Sequence, residues 1–322
     1  MPRVKLVIAM NTARAGIWRW PAAATARLRS EFPTVEVAEY IGAIDRVPAV
    51  ADAEIFRDAD AAVGWRLNPA LWRAAPRLRW IHCPSAAVNQ LLTPELVASD
   101  IVVTNGASVH AATVAQHALT LVLALARALP AAVRWQAAGA WRPQDLIPEM
   151  DEVHGARALI VGMGHIGRAL APLLEALGMT VAGIGRAQAA ELEARLGEAD
   201  YVVLALPATG ATEALMGFRQ FAAMKRGARL VNVGRGASLD EPALLAALDS
   251  GQLAGAGLDV MRQEPLPADS PLWRHPRVLL TPHVAAVTPR TWQRQTDLIA
   301  RHLRCFLAGE PLSPQVDKHR GY

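Results

Sequence analysis

The sequence predicts an α/β protein of two domains, each built on a parallel sheet, with the second domain inserted into the first. Three observations predict it. Short apolar runs alternate with helical stretches twice along the chain, the pattern of parallel strands joined by helical crossovers. A glycine-rich turn lies at the head of the second alternation. A length of 322 residues exceeds one core, on a prior of about 100–200 residues per domain. Rossmann-like or flavodoxin-like domains meet all three conditions.

In the first alternation the strands read as "VKLVIAM" (4–10), "VEVAEY" (35–40), "AAVGW" (61–65), "LRWIHCP" (78–84) and "IVVTN" (101–105). Helices are expected between them, at "PAAATARLRSEF" and around Ile55. A long helix follows from about Val109 to Ala128, with apolar residues recurring without a polar gap. The Pro-bearing stretch "GAWRPQDLIPEM" (139–150) reads as a connecting loop. The second alternation runs through "ARALIVG", "TVAGIGR", "DYVVLALP", "ARLVNVG", "GAGLDV" and "RVLLTPH". A final helix in "RTWQRQTDLIARHLRCFLAGE" is stopped by Gly309 and Pro311. The expected division is therefore 1–105 plus 290–322 for one domain and 106–289 for the other.

Composition excludes several classes. The chain is 52% hydrophobic and 19% charged, so it is globular and not disordered. Its formal charge of +4 is scattered without a basic run, which argues against nucleic acid as a partner. Cys83 and Cys305 lie far apart and read as reduced thiols. No signal peptide is evident, and the apolar stretch Leu119–Leu129 reads as too short and too charged to span a bilayer. A cytoplasmic protein that does not enter a membrane is expected. No HExxH, CxxC, Walker or G-x-S-x-G pattern occurs, and no metal is expected.

In "ALIVGMGHIGRALAPLLEALG", Gly162, Gly164 and Gly167 form a G-x-G-x-x-G pattern between a strand and a helix. Gly162 allows the tight turn, Gly164 lets backbone approach a pyrophosphate, and Gly167 lets helix and strand pack closely. His165 and Ile166 begin the helix, whose free N–H groups and partial positive charge suit phosphate. At the end of the next strand such domains usually place an acid on the adenosine ribose. Gly185 stands there, 18 residues after Gly167, and Arg186 follows. Glycine removes the charge that repels a 2′-phosphate, and Arg186 can pair with it. NADP(H) is the expected cofactor, with NAD(H) as the alternative.

Arg235 in "VNVGRGAS", Glu264 in "MRQEPLP" and His283 in "LLTPHVAAVT" sit where later strands end. The order "GRG…GLDV…EPLP…TPH" after a glycine turn resembles the D-isomer-specific 2-hydroxyacid dehydrogenases. Within them the chain is most similar to the glyoxylate/hydroxypyruvate reductase A group, through "SPLWRHPRVLLTPHVAAVTPRT" and the ending "GEPLSPQVDKHRGY". The resemblance covers nearly the whole chain. It implies catalysis by Arg235, Glu264 and His283 on a small 2-oxo or 2-hydroxy acid, in a cleft hinged near residues 110 and 295. The chemistry asks for the same residue types. Imidazole titrates near neutrality and can deliver a proton. A carboxylate on its other nitrogen fixes its orientation, and a guanidinium fork grips a carboxylate and polarises a carbonyl.

The resemblance further implies that Asp259 and Pro207 lie near the cofactor, with a structural hydrogen-bonding role for Asp259 equally open, and that the backbone of the loop "HCPSAAVNQLL" receives the substrate carboxylate at Ala86 and Ala87. Trp65 and Trp141 would close over the substrate, Trp141 from the partner of a homodimer. Three departures stand out. Ala86 and Ala87 occupy a turn that usually carries glycine, "VAQH" stands where the family has "VAEH", and the segment Ala187–Asp200 is short. The expected reaction is NADPH-dependent reduction of glyoxylate, hydroxypyruvate or a related 2-oxo acid to the D-2-hydroxy acid. An NAD-linked dehydrogenase for a bulkier 2-oxo acid such as phenylpyruvate is the alternative within the class. A non-catalytic dinucleotide-sensing protein is the rival from another.

Overall fold

The structure, a computed structural model, describes residues 3–10, 19–41, 50–65 and 67–321. Two compact units emerge, Met1–His110 with Val287–Tyr322, and Ala111–Ala286.

The first unit contains β1 (Val4–Ile8), α1 (Ala22–Glu31), β2 (Val35–Glu39), α2 (Val50–Phe56) and β3 (Ala61–Val63). It continues with α3 (Pro69–Arg73), β4 (Trp80–Cys83), α4 (Pro94–Ala98) and β5 (Val102–Asn105). Its parallel sheet has the order β2-β1-β3-β4-β5, a doubly wound flavodoxin-like arrangement. Both faces are covered, which is why Leu6, Val7 and Ile8 of β1 are buried in succession and do not alternate. Leu6, Ile8, Val63 and Trp80 pack on one side with the final helix, and Val7, Ala62, Ile81 and Val103 on the other with Leu71, Leu91 and Leu96. Asn68 and Thr93 cap α3 and α4 by accepting from Ala70 N (2.9 Å) and Leu96 N (3.3 Å).

The helix predicted over 109–128 is α5, Ala107–Ala126. It stops earlier because Ala128 turns left-handed (φ 50°) and Pro130 starts a new helix, α6 (Leu129–Ala137). The 20-residue α5 is long and apolar enough to cross a membrane, which corrects the shorter span read from the sequence. Most of its apolar window, 56%, is nevertheless buried in the protein, so it also meets the description of a core helix. The expected loop 139–150 contains a turn of helix, α7 (Pro143–Leu146), and a 3-10 turn, Ile147–Glu149. Pro143 at the first position of one and Pro148 at the second of the other have no N–H to lose there.

The second unit continues with β6 (Arg157–Val161), α8 (His165–Glu175), β7 (Thr180–Ile184), α9 (Leu192–Leu196), β8 (Tyr201–Leu204) and α10 (Phe218–Ala223). It ends with β9 (Ala228–Asn232), α11 (Glu241–Asp249), β10 (Leu253–Leu258) and β11 (Val278–Leu280). The sheet is parallel in the order β11-β10-β9-β8-β6-β7. The chain enters at β6, adds β7 on one side and crosses to β8 on the other. Ligands of such sheets sit at that switch point, outside the carboxyl ends. Asp240 caps α11 through Ala243 N at 3.1 Å. The last helix, α12 (Thr291–Ala308), belongs to the first unit and ends at Gly309 with φ 71°, the left-handed stop expected from its glycine. Cys83 and Cys305 are free thiols, and burial pushes the Cys83 thiol up to about 12.

Candidate active site

Three adjacent strands, β9, β10 and β11, deliver the predicted polar residues to one edge of the second sheet. Arg235 lies just past β9. Its backbone is held by two buried side chains, Asn232 Nδ2 donating to Arg235 O (3.1 Å) and Ser238 Oγ donating to the same oxygen (2.7 Å). The guanidinium donates to Gly234 O at 2.6 Å. Burial lowers the Arg235 pKa and the nearby Glu264 charge opposes that fall. Arg235 and Glu264 are therefore electrostatic neighbours.

Glu264 and His283 meet directly, with His283 Nδ1 2.6 Å from Glu264 Oε2. The other carboxylate oxygen accepts from Met261 N at 3.0 Å. Partial burial works to raise the Glu264 pKa. Hydrogen bonds from His283 and the Met261 amide, with the charges of His283 and Arg235, outweigh it and hold the carboxyl below its ordinary range. Both side chains keep solvent access, 40% for His283 and 34% for Glu264.

The turn carrying His283 is wound around Asp259, which is buried (1% exposed). Its carboxylate accepts from Thr281 Oγ1 (2.6 Å), Val284 N (3.0 Å) and Ala285 N (3.0 Å). Its carbonyl accepts from His283 N at 2.8 Å. Within this wrap His283 adopts φ 53°, an uncommon value for a side-chain-bearing residue. Such strain persists only where surroundings over-determine it. Asp259, expected near the cofactor, thus positions the histidine turn. His117 on α5 joins the same cluster, 2.9 Å from Thr281 Oγ1 and 3.5 Å from Asp259 Oδ1. Sequence reading gives neither His117 nor Thr281 a role, although a second imidazole seven residues after His110 on the same helix was an available signal. Gln116 beside it, the departure within "VAQH", is exposed.

The glycine turn follows β6 and meets the loop after β8. Gly162 has φ 110°, and a Cβ there would lie 2.6 Å from Ala205 O, so the position admits glycine only. A Cβ on Gly167 would lie 2.2 Å from Gly162 O, which accounts for the close fit of α8 on its strand. Above Gly164 the space is open, with nothing within 4 Å of an added Cβ. No side chain caps the N-terminus of α8, where His165 and Ile166 begin the helix. This open cradle of uncapped N–H groups fits a pyrophosphate. Pro207 is exposed in the loop after β8, its carbonyl accepting from Thr212 Oγ1 at 2.7 Å. Gly185 ends β7 with its N–H bonded to Gln188 Oε1 (3.1 Å), and exposed Arg186 opens a 3-10 turn, Arg186–Glu191, leading into α9. Leu192 and Leu196 anchor this short segment in the core.

Of the remaining predicted residues, Ala86, Ala87 and Trp65 belong to the first unit and Trp141 to the second. Ala86 and Ala87 follow β4 in the first unit, and neither has positive φ, so the turn does not need glycine. The Ala87 amide already donates to Ser85 Oγ at 3.2 Å, and Ala86 O accepts from Asn105 Nδ2 at 3.1 Å. Of the two N–H groups assigned to a carboxylate, that of Ala87 is thus engaged within its own loop. The base of this loop is tied by Pro84 O, which accepts from Gln295 Nε2 (2.5 Å) and lies 2.8 Å from His110 Nε2. Trp65 packs beside Trp292, ring centroids 6.4 Å apart, in the first unit. Trp141 is 93% exposed in the second.

Comparisons with known proteins identify the family. The family model described as "D-isomer specific 2-hydroxyacid dehydrogenase, NAD binding domain" matches residues 119–285. A glyoxylate reductase of Korarchaeum cryptofilum is 35% identical over 80% of this chain and 82% of its own. A glyoxylate/hydroxypyruvate reductase B of Escherichia fergusonii is 34% identical over 83% of this chain and 88% of its own. The solved NADPH-dependent glyoxylate/hydroxypyruvate reductase of Sinorhizobium meliloti, in complex with NADP and sulfate, superposes with a TM-score of 0.81 at 28% identity. It covers 99% of this chain and 100% of its own. With an NAD-binding-domain match over half its length, full-length relatives and a glycine cradle at the switch point, the chain belongs to the D-isomer specific 2-hydroxyacid dehydrogenase family of oxidoreductases.

Proposed function

We propose that this enzyme reduces glyoxylate, hydroxypyruvate or a closely related small 2-oxo acid to the D-2-hydroxy acid, using NADPH. The observation that carries the reading is the 2.6 Å pair of His283 and Glu264 beside Arg235. When bound, the reduced nicotinamide supplies the hydride. The chain's own groups do the rest. Arg235 takes the substrate carboxylate and polarises the carbonyl with its planar fork of donors. His283 gives its proton from Nε2 to the carbonyl oxygen as charge develops there. Glu264, ionised through the neutral range, holds Nδ1 and faces the positive charge of the protonated ring. The start of α8, at His165 and Ile166, takes the pyrophosphate above Gly164. In this reading the second unit is the dinucleotide-binding domain and the first the substrate domain.

NADP preference rests on Gly185 and Arg186, and the Sinorhizobium relative is solved with NADP. A homodimer is part of the proposal. Leu129, Val133, Trp141 and Ile147 are exposed on one stretch, α6 to the following 3-10 turn, by 47%, 60%, 93% and 65%. A second copy of the 34.5 kDa chain would cover them, and sedimentation should return twice that mass.

The test is steady-state kinetics with glyoxylate, hydroxypyruvate and phenylpyruvate against both cofactors. Turnover of the two smaller acids with NADPH is expected. Arg186→Ala should weaken NADPH by roughly 1.5–3 kcal/mol, the range for hydrogen bonds to charged groups, and spare NADH. Gly185→Asp should raise NADH efficiency; its Cβ meets only Gln188 Oε1, at 3.3 Å. Equal efficiencies with NADH and NADPH, unchanged by Arg186→Ala, would end the NADP assignment. Turnover confined to phenylpyruvate would end the substrate assignment.

A further inference from the structure

We propose that the second unit carries a separate binding site for a small multivalent oxyanion, a phosphate ester or polycarboxylate, at the amino ends of β9, β10 and β11. A cavity of about 400 Å³ opens there, lined by Arg226, Arg229, Arg277, Glu149 and Gly251 among others. That volume lies within the range of small-molecule sites, about 300–1,000 Å³. It is the opposite edge of the sheet from Arg235, Asp259 and His283. Arg229 and Arg277 each precede a catalytic residue by six positions, Arg235 and His283, at the far end of the same strand.

Charge identifies the ligand class. Arg229 is buried and neutralised by Asp151 at 2.8 Å. Arg226 and Arg277 form no ion pair with a carboxylate among the described residues, and Glu149 pairs with neither. Both nevertheless converge on one point. An ideal Cβ at Gly251 would lie 3.5 Å from Arg277 Nη1 and 3.7 Å from Arg226 Nη2. Both side chains are exposed at the cavity mouth, and two like charges brought to one cavity attract an anion. A structural duty explains part of their placement. Arg277 Nη1 donates to Leu248 O (2.8 Å) and Arg226 Nη2 to Ser250 O (3.3 Å), at the carbonyl end of α11. Each bond uses one of five N–H donors and neutralises no full charge. The guanidinium planes remain supplied with donors for phosphate or carboxylate oxygens.

The test uses the holoenzyme with saturating NADPH, so that the phosphate cradle is filled. Inorganic phosphate and citrate are titrated by calorimetry against sodium chloride at matched ionic strength. Saturable binding of at least one is expected, and the tighter of the two separates a phosphate from a polycarboxylate source. Arg226→Gln and Arg277→Gln should each weaken it about ten-fold or more while leaving turnover unchanged. Ala254→Asp, at an exposed position lining the cavity, keeps both α11 contacts and should block binding with a tethered carboxylate. It serves also if the arginine variants fail to fold. Binding no stronger than chloride, binding unchanged in all three variants, or binding lost only in Arg235→Gln would overturn the site.

Discussion

Two histidines near the carboxyl ends of parallel strands have opposite fates. His82, in β4 of the first unit, is completely buried. Its Nδ1 is 2.9 Å from Thr104 Oγ1 and its Nε2 3.4 Å from Gln295 Oε1. Burial, then the charge of His302, drives its pKa down to about 3, with His110 adding to the fall and Gln295 opposing it. His283, past β11 of the second unit, is partly open and rests on a carboxylate. Both sit in doubly wound sheets. One ring is held neutral by burial and by the neighbouring histidines. The other has an ionised partner and partial exposure. The difference teaches that strand-end position alone does not fit a histidine for proton transfer. A carboxylate partner and solvent access are needed as well.

Breaking the comparison starts with His283→Ala. It should lower kcat/KM by about 10²–10⁴, the usual cost of losing a general acid, with NADPH affinity nearly intact. If His82→Gln produced an equal loss in a fully folded enzyme, the contrast would collapse. The next effect is Arg235→Lys. Charge survives but the two-pronged grip does not, so KM for the 2-oxo acid should rise and kcat fall, by about ten-fold to a hundred-fold together. Unchanged kinetics would remove Arg235 from the mechanism.

A stability measurement sharpens the His82 side. Its folded pKa lies below the ordinary value of 6.5, so the unfolded chain binds the proton more readily. The contribution is complete above pH 6.5 and is lost as pH falls from there toward about 3. Within that window the first unit should lose up to about 1.4 kcal/mol per pH unit from this residue. Denaturant titrations at pH 7.5 and 5.5 on wild type and His82→Gln should differ in slope; parallel behaviour would show that the burial does not hold. The smallest effect concerns Glu264. Its carboxyl is held below the ordinary range, so its contribution is present above about pH 4.3 and fades only as pH falls through the lower folded value. Glu264→Gln should therefore separate from wild type in stability above pH 4.3 and converge with it in stronger acid.

Much of this was readable in the chain. The apolar strands ending in glycine or polar residues, the glycine turn and the order Arg235, Glu264, His283 all lie in local sequence. Strand hydrophobicity and turn geometry are short-range properties, so they survive as text. The long helix slipped because Ala128 turns left-handed, a conformation nothing in alanine announces. His117 was passed over because its partners, Thr281 and Asp259, are 164 and 142 positions away. Ala87 was offered as a free donor, and only the fold shows Ser85 taking its N–H.

By itself the sequence determined the fold class, the dinucleotide cradle and the identity of the polar groups, since backbone periodicity and residue chemistry fix these locally. Tertiary structure alone decided that Asp259 organises the turn beneath His283, that His117 joins it, and that Arg226 and Arg277 converge at Gly251. Those facts depend on strands β9, β10 and β11 lying side by side. Hydrogen bonds and charges act over a few ångströms of space, whatever the distance along the chain.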